Sequence, residues 1–325
     1  MTDKIRVGII GYGNLGKGIE EMSLNYPDLS LEVIFTKRDP KSLNASVKAE
    51  HMDNLKNYVD KIDVMLLCGG SATDLPNQGP LVSKLFNTVD SYDNHNKIPE
   101  YFETMNISSK SSNKTSLIST GWDPGLFSLN RLLSQSILPK GDSFTFWGKG
   151  VSQGHSQALR RIKGVEDAVQ YTVPSQEAIN LAKNGKGKDL TTKDKHDRIC
   201  YLVVQEGVDK QAIENEIVTM PYYFADYNTQ VNFISQEEFD KNHRHMPHGG
   251  FVIQSYKNEE GINQAMEFSL KLDNNPLFTA SVLLTYARAV FRLNKEGKFG
   301  AFSVFDIPLS YLSDKSSETL RKELL

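Results

Sequence analysis

The chain has 325 residues, enough for two domains with separate cores, and 39% hydrophobic and 24% charged residues, the balance of a soluble globular protein. A net charge of −3 excludes a global basic field that would recruit nucleic acid or anionic lipid, and no apolar run approaches the ~18 residues of a membrane span. The two cysteines, Cys68 and Cys200, lie in apolar strand-like runs, which argues against a disulfide framework and for a reducing, cytoplasmic setting.

Met-Thr-Asp-Lys leads directly into IRVGII, residues 5–10, so no signal peptide is expected and the first element is a buried parallel strand. GYGNLGKGIEEM then turns into a helix. LSLEVIFTKRD, IDVMLLCGG, FNTVDSYDNH and KTSLISTGWD read as further strands, with helices in DLPNQGPLVSKLF and IPEYFETMNISSKSS. Strand alternating with helix predicts an α/β, Rossmann-like doubly wound parallel sheet over residues 1–121. Beyond Asp123 the strands lengthen and alternate polar with apolar, as in DSFTFWG, RICYLVVQ, TQVNFIS, GGFVIQSYK and INQAMEFSLKLD. This predicts an α+β substrate-binding domain over 122–275, built on an open mixed sheet. AKNGKGKDLTTKDKHDR reads as a polar connector. The long helix LFTASVLLTYARAVFRLNKEG follows Asn275-Pro276, and residues from about 276 to 325 are expected to return to the first domain.

Gly11, Tyr12, Gly13, Asn14, Leu15 and Gly16 form a G-x-G-x-x-G between an apolar strand and a helix, the context in which this pattern binds a dinucleotide. Gly11 permits the tight turn, Gly13 lets backbone approach a pyrophosphate, and Gly16 allows close helix–strand packing. Amides at the helix start then bind the anion. The second strand ends in Thr36, Lys37 and Arg38 where an acid would select a free ribose 2′-hydroxyl; a hydroxyl and two cations select a 2′-phosphate, hence NADP. Cys68, Gly69, Gly70, Ser71, Ala72 and Thr73 follow the next strand as small residues over which the cofactor passes.

The following strand ends carry carboxylates, Asp90 and Asp93 and then Asp123, on the edge where open α/β sheets bind ligands. Asp93 and Asp123 suit a cationic amine, and Trp122 would exclude water from the reacting centre. Pro124 and Gly125 are expected to fix the chain's direction, so that two domains close over the substrate as hinged bodies.

IRVGIIGYGNLGKG, VDSYDNH, STGWDPGLFSLNR, FWGKGVSQGHSQALRRIKGV, AVQYTVPS, MPHGGFVI and LKLDNNPLFTAS together resemble the meso-diaminopimelate dehydrogenases along nearly the whole chain. The resemblance implies NADP-dependent oxidative deamination of the D centre of meso-2,6-diaminopimelate, with ammonia as co-product, by a cytoplasmic homodimer in lysine and cell-wall precursor biosynthesis. It implies that Asp93 and Asp123 hold the reacting amine and that Trp122 and Trp147 line the pocket. Gln153 and Gly154 help bind the near carboxylate, while Thr172, Arg198 and His248 grip the distal L centre with Asn275 nearby. Thr36 and Lys37 stand where the family commonly has Ser or Arg.

His243, His245 and His248 lack a cysteine or carboxylate to complete a tetrahedral set, so no metal is expected. Ser152, His155 and Ser156 lack a nucleophile elbow. Two other classes stay open on residues alone: an NADP-dependent reductase of another amino-acid-derived substrate, and a non-catalytic NADP sensor.

Overall fold

The computed structural model describes residues 4–325, which form two compact units: residues up to Leu129 together with Pro276–Leu325, and Asn130–Asn275. In the first unit, β1 (Ile5–Ile10) leads into α1 (Asn14–Ser23), followed by β2 (Leu29–Thr36), β3 (Ala49–His51) and β4 (Val64–Leu67). Then come α2 (Leu75–Val82), β5 (Asn87–Asp90), α3 (Ile98–Lys110), β6 (Thr115–Leu117) and α4 (Phe127–Ile137), the helix in which the unit boundary falls.

The second unit holds β7 (Asp142–Trp147), β8 (Gly150–Val151), α5 (Gln153–Arg160), β9 (Val165–Pro174), α6 (Gln176–Lys183) and α7 (Thr192–Lys195). It continues with β10 (His196–Val204), α8 (Lys210–Val218), β11 (Asn228–Phe233), α9 (Gln236–Asn242), β12 (His248–Lys257) and β13 (Asn263–Leu272). The chain ends with α10 (Asn275–Lys295), β14 (Gly300–Phe302) and α11 (Ser317–Leu324). Among the described residues no helix is long and apolar enough to cross a membrane.

The first unit is a seven-stranded sheet in the order β14-β6-β5-β4-β1-β2-β3, every pair parallel. Its central strands are apolar on both faces, so each face carries a core. Ile5, Val7, Ile9, Ile34, Leu66 and Leu117 pack with Leu283, Tyr286, Ala287 and Val290 of α10. Ile10, Phe35, Met65 and Leu67 pack with Leu75, Tyr101 and Met105 of α2 and α3. Strands buried on both faces read as near-continuous apolar runs; the hydroxyls of Thr88 and Ser116, inside β5 and β6, are buried only because they bond each other at 2.7 Å.

In the second unit the expected open mixed sheet divides into two. Strands β11-β10-β9-β8 form a mixed sheet in which only β10 and β11 run parallel, and β13-β12-β7 form an antiparallel one. The break is at Gly148, where the chain leaves β7 for β8. Gly148 has φ +113°, and a Cβ there would lie 2.0 Å from the Thr172 carbonyl oxygen. Only glycine admits both that conformation and that approach.

A buried ion pair ties α10 into the first unit. Arg288, 5% exposed, donates from Nε and Nη2 to both carboxylate oxygens of Asp28 at 2.6 and 2.7 Å, and from Nη1 to the Leu312 carbonyl. Burial pushes the Asp28 carboxyl up, but the hydrogen bonds and charge of Arg288 outweigh it and hold the group below its ordinary range. Arg288→Met strands Asp28 and is expected to cost about 3 kcal/mol, the low end for a broken buried pair because Asp28 keeps some contact with water. A fall in the urea midpoint measures it.

Candidate active site

The end of β1 is built for an anion. Gly11 has φ +98°, and its N–H donates to the Phe35 carbonyl at 2.9 Å, which holds the turn against β2. A Cβ on Gly16 would lie 2.2 Å from the Gly11 carbonyl oxygen, whereas one on Gly13 would meet nothing within 4 Å. The glycines thus close the turn behind α1 and leave its front open. Gly13, at the N-cap of α1, makes no side-chain capping bond. Asn14 is exposed and Leu15 packs against the core. Tyr12 is buried, its hydroxyl committed to Glu20 and the Asn44 carbonyl.

Beside this turn lies a cavity of about 210 Å³, whose walls include Gly11, Thr36, Lys37, Arg38, Cys68 and Gly69. Arg38 donates to the Tyr12 carbonyl at 2.9 Å, and the buried Thr36 hydroxyl accepts the Arg38 N–H at 3.1 Å. Lys37 pairs with Asp74 at 2.9 Å across the same cavity, and its hydrogen bond holds the Asp74 carboxyl below its usual range. Asp74 was not singled out from the sequence; its only signal is an acid just before α2. Gly70 also borders the cavity, whereas Ser71, Ala72 and Thr73 are outside its lining. Ser71 accepts the Asp93 N–H at 3.1 Å and Thr73 donates to Asp74 at 3.1 Å.

The next two strand ends are joined by Asp90. Fully buried, it accepts the N–H groups of Tyr92 and Ser119 on Oδ1, each at 3.0 Å, and the Tyr101 hydroxyl on Oδ2 at 2.8 Å. Its carbonyl accepts both the N–H and the hydroxyl of Thr120. Asp93 is exposed in the turn after β5. Trp122 is 9% exposed and meets Phe127 edge-on, ring centroids 5.2 Å apart. Asp123 is half-buried in an extended conformation between Trp122 and a cis peptide bond to Pro124, and Gly125 follows at φ +129°. This irregular turn is where strand becomes helix.

The second unit assembles a different set. Arg198 on β10 faces Thr172 on β9 in register, and its guanidinium donates to the Thr172 hydroxyl. The group is 8% exposed and stacks 4.0 Å over the Tyr227 ring, but its Nε has no partner and no carboxylate pairs with it among the described residues. His196 accepts the Trp147 backbone N–H at 2.9 Å while the two rings stack at 5.6 Å. Burial, reinforced by the Arg198 charge, lowers both His155 and His196 to about 4. Both are therefore neutral near pH 7 and add no charge to that of Arg198.

His248 lies beyond Gly150, the register partner of Thr172; a Cβ on Gly150 would come within 2.6 Å of the His248 ring. Gln153 approaches the Met246 sulfur at 3.5 Å, the Asn275 N–H donates to the Met246 carbonyl at 3.1 Å, and Gly154 has open space where a side chain would begin. The structure thus groups Thr172, Arg198, Trp147 and His248 around β8–β10, and Gln153 and Asn275 around Met246. His196 and Tyr227 were missed. A histidine alternating with apolar strand residues carries no signal of its own. His155 bonds Ser152 at 2.7 Å, but its ring lies edge-on to Tyr223 and Phe224.

A parallel sheet that brings a glycine turn to the start of its first helix, and polar turns to its strand ends, is that of the Rossmann-type dinucleotide-dependent oxidoreductases. A model of the diaminopimelic acid dehydrogenase C-terminal domain matches residues 121–274. The chain is 56% identical to the meso-diaminopimelate D-dehydrogenase of Ureibacillus thermosphaericus over 324 residues, 99% of each chain. The structure of a mutant meso-DAPDH from Clostridium tetani E88 with DAP superposes at a TM-score of 0.93, with 55% identity over 99% of this chain and 100% of that one. An engineered D-amino acid dehydrogenase bound to NADP+ superposes at 0.84, with 42% identity and the same coverage. The chain belongs to the meso-diaminopimelate D-dehydrogenase family.

Burial pushes the Asp90 carboxyl up to about 6, against the three donors that pull it down. Its favourable contribution to folding is therefore complete below the unfolded-state value near ~4 and is lost as pH rises through about 6. Asp90→Asn removes that dependence. The stability of the variant relative to the native protein is expected to rise by on the order of 2 kcal/mol between about pH 4 and about pH 7. Paired urea melts at the two pH values check the sign.

Proposed function

We propose that the protein catalyses the reversible, NADP-dependent oxidative deamination of the D centre of meso-2,6-diaminopimelate. The products are ammonia and L-2-amino-6-oxopimelate, which cyclises to tetrahydrodipicolinate, and the reaction serves lysine and cell-wall precursor supply in the cytoplasm of a homodimeric enzyme's host cell. The observation that carries the reading is Arg198, a buried guanidinium with a hydroxyl partner, an unpartnered Nε and no carboxylate partner among the described residues. A buried cation without a counter-charge is costly, so its partner is sought in a ligand. A second carboxylate, remote from the reacting carbon, is what distinguishes diaminopimelate from a simple amino acid.

In this reading Thr172, Arg198 and His248 hold the distal carboxylate and amine, with Asn275 beside them. Gln153 and Gly154 bind the near carboxylate, and Trp122 and Trp147 wall off water. Asp93 and Asp123 face the D-centre ammonium, take up its proton, and then stabilise the cationic iminium that precedes attack by water. The cofactor, when bound, supplies the two-electron acceptor. Gly11 to Gly16 fit its pyrophosphate, since the turn leaves open the space that a side chain at Gly13 would fill. Thr36 and Arg38 face the 2′-phosphate, and Lys37 joins them by exchanging Asp74 for the phosphate.

Initial rates of NADP and NAD reduction with meso-diaminopimelate test the reading, with a strong preference for NADP expected. Arg38→Ala should raise KM for NADP more than it lowers kcat, because the phosphate is remote from the reacting carbon. At least one of Asp93→Asn and Asp123→Asn should lower kcat about 100-fold or more; native turnover in both would sink the assignment. Arg198→Met should cripple turnover of meso-diaminopimelate and admit D-amino acids with apolar side chains, whose tails carry no charge to satisfy.

A further inference from the structure

We propose that Asp90 is a positioning residue for this reaction: its side chain and carbonyl tie the turn that carries Asp93 to the turn that carries Trp122 and Asp123. The inference rests on the reading in which Asp93 and Asp123 hold the reacting amine. Strands β5 and β6 pair only through Thr88–Ser116 and Val89–Leu117, so ladder bonding ends before either turn begins. From there Asp90 replaces the ladder. One carboxylate oxygen accepts the Tyr92 N–H, immediately before Asp93, and the Ser119 N–H, three residues before Trp122. Ser119 is held at φ +57°, a conformation uncommon for a residue with a side chain. The Asp90 carbonyl then takes both donors of Thr120, its N–H at 2.9 Å and its hydroxyl at 2.6 Å.

Tyr101 of α3 fixes the remaining carboxylate oxygen, and its ring stacks on Tyr92 at 4.1 Å, which braces the same turn from the helix side. Fully buried, Asp90 is shut away from any substrate arriving from solvent. Its burial also opposes its ionisation, so the carboxylate is kept there against a desolvation cost. What an apolar residue cannot supply is one acceptor shared by two backbone amides on adjacent turns.

The arrangement separates geometry from charge. In Asp90→Asn the amide oxygen still accepts both N–H groups, while Nδ2 donates to the Tyr101 hydroxyl. Asp90→Leu keeps the shape and loses the acceptor. Thr120→Val removes only the hydroxyl bond to the Asp90 carbonyl. The experiment measures kcat and KM for meso-diaminopimelate in the full-length protein, with NADPH affinity followed by fluorescence. Asp90→Leu is expected to lower kcat about 10- to 100-fold, the scale of a misplaced reacting group, and to leave NADPH affinity within about 2-fold. Thr120→Val should lower kcat several-fold, and Asp90→Asn should stay within about 3-fold of native. A carboxylate acting in proton transfer would not be rescued by asparagine.

Native kcat in both Asp90→Leu and Thr120→Val overturns the proposal, as does a loss in Asp90→Asn as deep as in Asp90→Leu. If Asp90→Leu does not fold, Thr120→Val and Asp90→Asn decide by the same outcomes. Loss of turnover in Asp93→Asn or Asp123→Asn with native turnover in Asp90→Leu and Thr120→Val defeats positioning alone. Native turnover in both Asp93→Asn and Asp123→Asn defeats the amine-binding reading itself.

Discussion

A parallel strand buried on both faces can present a polar group only where its ladder runs out, and the chemistry of the first unit is arranged by that constraint. Beyond β1 comes Gly11, beyond β2 the pair Lys37 and Arg38, beyond β4 Cys68 and Gly69, and beyond β5 and β6 the turns with Asp93 and Asp123. All leave the sheet at the carboxyl ends of parallel strands, so ligand groups gather along one edge without any one strand having to bend. Apart from small hydroxyls such as Thr88 and Ser116, which bond each other, the interior is apolar on both sides, and α10 supplies a large part of one face. Asp90 is the carboxylate among these buried polar groups. It lies at the last position of β5, inside the core, and is tolerated because its acceptors are filled by backbone and side-chain donors.

Charge is handled differently in the two units. Around the dinucleotide turn, cations and anions offset each other: Lys37 meets Asp74, and Arg38 finds a carbonyl. Around Arg198 they do not. The neighbouring histidines are lowered to about 4 and stay neutral, so neither neutralises nor repels what approaches the guanidinium. A constant positive charge near neutral pH suits an anion, which it would hold without a proton changing hands. Tyr227 adds a π-face to the guanidinium, and Thr172 fixes one edge of the fork.

What the sequence reveals follows the range over which each feature is determined. The strand IRVGII and the glycine turn are read within about fifteen residues, because apolar continuity and glycine spacing are local constraints. The division of the second unit into two sheets was not legible. DSFTFWG reads as one more strand of a single open sheet until Gly148 is seen against the Thr172 carbonyl, and that approach depends on residues far along the chain. Lys37 and Asp74 are 37 positions apart, so their pairing is equally invisible in either segment. Asp90 and Asp93 look equivalent as strand-end carboxylates; only Tyr101 on the next helix reveals which one is buried. Arg198 and Thr172 were legible only through resemblance, since their meeting is set by the antiparallel register of β9 and β10.

The central claim is that one end of a two-headed substrate reacts because the other is held by a fixed cation. The most direct measurement is stereochemical product analysis after incubation with NADP and either meso- or LL-diaminopimelate. The account predicts that meso-diaminopimelate alone is oxidised and that the surviving amino-acid centre of its product is L. Oxidation of the LL isomer at a comparable rate, or a product retaining the D centre, would contradict it.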